Sequence, residues 1–151
     1  MATANFDTIA AAIAARFAAA ALTAPAGYST IRSSTANPPG AIGPTPAVVV
    51  TMNTDDSADL VGNGLRVAVQ SWHVRFYFDQ TSDLERTEPA LRKWHSVLYS
   101  QLKGAVQLAG LVDWCRIMEA KLGILAYGGV DYTGIEFTVH TATSEAWAAT
   151  A

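Results

Sequence analysis

From Ile135 to Thr141 the chain alternates without a break. Ile135, Phe137, Val139 and Thr141 fall on one side, and Glu136, Thr138 and His140 on the other. A period of two sends successive side chains to opposite faces of a strand, so this segment has one dry face and one wet face. Such a strand needs partners at its edges and a cover over its dry side, which selects an antiparallel sheet with a layer packed on one face.

The cover is legible as two segments with a period near 3.6. Residues Asn5 to Leu22 read as a helix, with Phe6, Ile9, Ile13 and Phe17 in one apolar stripe and alanine over much of the remainder. Asn5 or Thr3 is placed to cap it, Asp7 suits the positive end of its dipole, and Pro25 and Gly27 lie past its end. Glu88 to Lys103 read as a second helix, with Pro89 at the first helical position and Gly104 as the stop. Its stripe is Leu91, Trp94, His95, Leu98 and Leu102.

The remaining strands are short β-branched or aromatic runs. Ala47 to Met52 carry Val48 and Val50 in a strand expected to be buried. Leu65 to Asp79 form a longer one whose apolar phase switches near Gln70 and Ser71, from Leu65, Val67 and Val69 to Trp72, Val74, Phe76 and Phe78, which predicts a bulge or a sharp twist there. Trp114 to Leu125 and Gly134 to Thr141 flank a turn at Tyr127-Gly128-Gly129, with Asp131 to Thr133 widening the hairpin. Between them, Ala105 to Val112 predicts a short extra turn. The order is helix, loop, strand, strand, helix, strand, strand. It predicts an α+β fold: a mainly antiparallel sheet of four to five strands with two helices on one face, in a single domain over residues 1–151. The expected core is Phe6, Ile9, Ile13, Phe17, Val48, Val50, Leu91, Trp94, Leu98, Ile135, Phe137 and Val139.

Three segments lack periodicity. Residues 24–46 hold five prolines, among them Pro38, Pro39 and Pro44, and predict a long loop, either a solvated Ω-loop or an irregular edge strand around Tyr28 to Arg32. Asn53 to Gly64 predict a polar turn region carrying Asp55, Asp56 and Asp59. These two loops would leave opposite ends of the strand between them, and both are candidate partner contacts. Residues 142–151 predict a flexible tail.

Composition narrows the function. The 151 residues are 50% hydrophobic and 15% charged with a net charge of −3, which excludes wholesale disorder and a basic nucleic-acid clamp. So few charges leave much apolar or small-residue surface, and that points to a partner surface. One cysteine, Cys115, excludes an intrachain disulfide and a cysteine zinc cluster. The N-terminus lacks the basic region of a secretory signal. The alanine-rich run interrupted by Arg16 is shorter than the roughly 20 apolar residues of a membrane span.

The chemistry-bearing patterns fail one by one. Gly62-Asn63-Gly64 precedes a strand and lacks the third glycine of a dinucleotide fingerprint. Asn53, Asp55, Ser57 and Asp59 have the spacing of calcium ligands, but Ala58 stands where the loop needs glycine and Gly64 where it needs glutamate. His73, His95 and His140 show no ligand spacing, and Cys115 has no activating histidine nearby in sequence. Trp72 to Tyr77 interleave basic and aromatic residues, as a base-stacking platform would, but without a basic surplus. No catalytic, metal or cofactor residue is assigned, and the chain is expected not to be an enzyme.

The order of elements resembles the tail terminator proteins of long-tailed, siphovirus-type bacteriophages, also called tail-completion or neck proteins. The likeness lies in the amphipathic first helix, the Pro/Gly-rich loop into Pro46-Ala47-Val48-Val49-Val50, and the aromatic strand Trp72-His73-Val74-Arg75-Phe76. The second helix and the closing hairpin Tyr127-Gly128-Gly129-Val130 with Tyr132-Thr133-Gly134-Ile135-Glu136-Phe137-Thr138-Val139 complete it. It spans residues 5–141. The resemblance implies a structural virion protein of the tail or neck, assembled in the host cytoplasm. It implies a homo-oligomer, a hexameric ring, that caps the tail tube protein and meets a head-side connector or stopper protein. DNA would pass through the lumen without specific binding, with no cofactor and no membrane. The alternatives are another head–tail connector or stopper, and a small α+β ligand-binding domain or enzyme.

Overall fold

The computed structural model describes residues 5–19, 21–61, 65–104 and 107–146, with the side chains of 54–61, 65, 66, 145 and 146 outside the description. Its elements are α1 (Phe6–Ala15), β1 (Ser33–Thr35), β2 (Ala47–Val61), β3 (Leu65–Asp79), α2 (Leu84–Lys103), a single tight turn at Leu108–Gly110, β4 (Trp114–Tyr127) and β5 (Val130–Ala146). The strands form one sheet in the order β1-β2-β3-β5-β4. Only β1 against β2 is parallel. This is the α+β fold with a mainly antiparallel sheet that the periodicities predict.

Both helices lie on the same face. Ile9, Ile13 and Phe17 from the first segment meet Leu91, Trp94, Leu98 and Leu102 over Val48, Val50, Trp72, Val74, Phe76, Ile135, Phe137 and Val139, in one buried cluster. Every residue of the expected core is there except Phe6, which is 39% exposed and touches Trp72 edge-on with ring centroids 6.5 Å apart. The stripe assigned Phe6 by spacing alone, but it opens the helix at the rim of the sheet.

Several boundaries differ from the sequence reading. α1 stops at Ala15, well short of Leu22. The Arg16 carbonyl, which a continuing helix would use, accepts from Gln101 Nε2 at 2.7 Å, while Arg16 Nη2 donates to the Gln101 carbonyl at 3.0 Å. α2 begins four residues earlier than expected. Asp83 caps it by accepting from the Arg86 amide at 3.1 Å, so Pro89 lies inside the helix rather than at its first position. The short strand of the prolyl segment is at 33–35, not 28–32. The widened hairpin is absent: Tyr127 pairs with Val130 across Gly128 and Gly129, whose φ values of +59° and +81° suit a tight primed turn.

The largest differences are in strand length. The polar turn expected over 53–64 is a strand as far as Val61, because β2 pairs with β3 as one long hairpin. The flexible tail expected from 142 is strand to Ala146, paired with β3 back to Leu65. Trp147 and residues 62–64 lie outside the described residues. The bulge is on β2, where the register slips between Met52 and Thr54 opposite Trp72 and Ser71. β3 itself keeps an unbroken register with β5 from Leu65 to Tyr77. Its apolar phase therefore switches while the strand does not: Gln70 and Trp72 share the helix face, and Val67 and Val69 are turned to the other.

Candidate interaction surface

The open sheet has two long sides. β4 is an outermost strand of 14 residues. On the opposite side β1 covers β2 only at Ala47, Val48 and Val49. Beyond Val49, and among the described residues, the stretch 50–61 of β2 is paired on its β3 side alone. Strand edges of this length carry unpaired amide and carbonyl groups and are templates for another strand.

The large hydrophobic side chains left in water sit at these two sides. Among the described residues, Phe6 and Met52 are each 39% exposed beside the β2 edge, and Tyr99, Met118 and Ile124 are 41%, 57% and 48% exposed on or beside β4. At the β2 edge, Phe6, Asp7, Ala10, Pro38, Met52 and Trp72 line an open groove of about 200 Å³. At the other side a hollow between α2 and β4 is bordered by Tyr99, Lys103, Cys115 and Arg116. Arg116 stacks over the Trp114 ring at 4.6 Å.

The helix-free face is polar in its middle and apolar at one end. Arg75 Nε donates to Glu136 at 2.7 Å, across the β3–β5 pair, and Arg75 Nη2 lies 2.9 Å from His73 Nδ1, which must accept there. Next to this row, Val49, Tyr77 and Tyr132 are buried on the same face, with Ile42, Leu125, Tyr127 and Val130 packed around them. The prolyl loop closes this cluster: the Tyr127 hydroxyl donates to the Pro39 carbonyl. Burial holds the Tyr77 phenol above its ordinary range, with Arg75 opposing.

The helix side hides a polar ladder. Gln70 is fully buried and exchanges hydrogen bonds with Thr141 and Thr143, and Trp72 Nε1 donates to Thr141 at 2.9 Å. Cys115, also buried, has its thiol pushed up to about 11 by desolvation, which leaves it protonated and a poor nucleophile at neutral pH. Among the described residues no group of three or more His, Cys, Asp or Glu side chains is placed to hold a metal ion. No described helix is long and apolar enough to cross a membrane.

The expected partner contacts are not brought together. Asp55 and Asp56 are in β2 opposite Gln70 and Val69, and Asp59 falls in the register break between Ser57 and Leu60; their side chains lie outside the description. They belong to a strand rather than a loop, so the picture of two loops flanking a short strand does not hold. Pro38 and Pro44 are exposed, Pro38 at the β2 groove, while Pro39 is half-buried against Tyr127. Sequence reasoning passed over Phe6, Met52, Met118 and Ile124 as surface residues. The available signal was in Leu122 to Leu125, where apolar residues occupy both phases of an edge strand. The chain matches no protein-family model, and no curated protein matches it.

Proposed function

We propose that the chain is a structural virion protein of the tail-terminator kind. It forms a homo-oligomeric ring, a hexamer, that caps the phage tail tube and joins it to the head-side connector while DNA passes through the lumen. The observation that carries the reading is the open sheet with two long free edges, each bordered by exposed large hydrophobics. A monomer gains nothing from such edges and risks aggregation through them, whereas a closed ring of copies removes them. The element order and the single helix-covered sheet agree with what the resemblance implies. The test is imaging of the purified protein and of particles carrying it in tagged form. A ring of six at the junction of head and tail is expected. A copy found as a monomer in solution and absent from particles would overturn the reading.

A further inference from the structure

We infer that the middle of the β4 edge of one copy, with Tyr99, Met118 and Lys103, seats against the groove at the β2 edge of the next, with Phe6, Met52 and Asp7. The contact is made by side chains and repeats from copy to copy. The inference rests on the ring proposed above and names the two surfaces that close it.

Both surfaces lie at one height in the sheet. Met52 is level with Trp72, Trp72 with Val139, and Val139 with Ile117. Met52 and Trp72 line the groove, and Cys115 and Ile117 line the hollow at the other side. Both are completed by helix residues, Phe6 and Asp7 from α1, Tyr99 and Lys103 from α2, so both open on the helix side of the sheet. A ring axis parallel to the central strands β3 and β5 preserves height and keeps every helix layer on the same side of the wall. It therefore carries the hollow of one copy to the groove of the next. β1 stops at the level of Val49 and leaves Met52 clear. Each outer strand is also bulged at this height: β2 slips between Met52 and Thr54, and β4 between Ile117 and Glu119, with Met118 the extra residue. Bulges interrupt a ladder and turn an edge away from strand addition, which leaves side chains to make the contact.

Apolar surface and charge both match. Of the five large hydrophobics exposed among the described residues, Phe6 and Met52 are at the groove, Tyr99 is at the hollow and Met118 is next to it, and only Ile124 lies elsewhere. Docking covers those four in one contact. Among the described residues the groove is lined by one acidic side chain, Asp7, and by no basic one, while the hollow is lined by Lys103 and Arg116 and by no acidic one. All three are exposed. Opposite signs favour groove against hollow, and like signs oppose groove against groove or hollow against hollow. The contact is heterologous: each copy uses two different surfaces, so it repeats until a ring closes.

The test uses Met52→Cys and Met118→Cys, made as two separate full-length proteins on a Cys115→Ala background, one carrying a mass tag, mixed and joined by a short bismaleimide. Both methionines are exposed, and circular dichroism checks that the fold is unchanged. The expected product is a dimer holding one of each variant, with dimers of a single variant negligible. The chain carrying both cysteines should give a ladder of higher multiples. Adding Asp7→Lys to the first protein, or Lys103→Asp to the second, should lower the mixed yield severalfold, since a repulsive pair replaces an attractive one, and adding both should restore it. Dimers of a single variant in place of the mixed one, no dimer, or a yield that the paired reversal fails to restore would overturn the contact. The ring is read separately, from the native mass of the unsubstituted protein and its presence in particles. A ring mass without the mixed dimer removes this contact and leaves the ring, and a monomer that is also absent from particles removes both.

Discussion

A single added carbon is most consequential at Gly134. A Cβ built there would lie 2.0 Å from the Phe76 carbonyl oxygen, inside the β3–β5 ladder where neither backbone can move aside. Gly134→Ala is expected to cost about 3 kcal/mol, at the upper range of overpacking penalties. The measurement is chemical denaturation with the unchanged slope that reports the same unfolded state. Cys115 gives a pH signature. Its folded thiol ionises near 11 and its unfolded thiol near 9, so the unfolded chain releases its proton first as pH rises. Its contribution is complete below pH 9 and is lost through pH 11, on the order of 2 kcal/mol. The buried Tyr77 phenol acts in the same direction. Unfolding curves of Cys115→Ala should therefore be flatter between pH 9 and 11 than those of the parent. Equal slopes would place the alkaline loss elsewhere.

At the scale of elements, α1 is held by a side chain eighty-odd residues away. Gln101 Nε2 donates to the carbonyls of Arg16 at 2.7 Å and Ala21 at 3.2 Å, where the segment leaves the helix. Gln101→Ala should cost about 1–2 kcal/mol, the worth of two such bonds to backbone, and should raise hydrogen exchange in α1 more than in α2. That clamp also explains why helix propensity misplaced the boundary. Alanine-rich sequence says continue, and nothing local in residues 16–22 announces a partner on α2. The apolar stripes of both helices and the alternation in β5 were legible because burial follows period. The strand over 53–61 was not, since Asn53, Asp55, Asp56 and Asp59 have poor strand propensity and the segment is held by the pairing of 54–57, 60 and 61 with β3. The long prolyl loop hid its role for a related reason: it packs through Ile42 and a backbone carbonyl, which leave no periodic trace. The hint lay with its targets. Val49, Tyr77 and Tyr132 are apolar on the phase that should have been wet.

For the molecule as a whole, sequence gave the class of fold and the sidedness of the sheet, while the free edges needed the strand order. Two edges become open only once β5 is seen to insert between β3 and β4, and no local pattern states which strands end outermost. The candidate contacts moved accordingly, from loop tips to strand sides. The prolyl loop has one more effect. It crosses the helix-free face only beside Tyr77, Tyr127 and Tyr132, near the β4–β5 turn. There the body is three layers deep, helices over strands over loop. Farther along β3, where His73 and Arg75 lie half-buried on that face with no loop over them, it is two layers deep. The described residues are therefore deeper at the β4–β5 turn than at the middle of β3. In the ring proposed above, the deep ends of all copies would share one rim and the shallow ends the other, so the two rims would differ in wall depth.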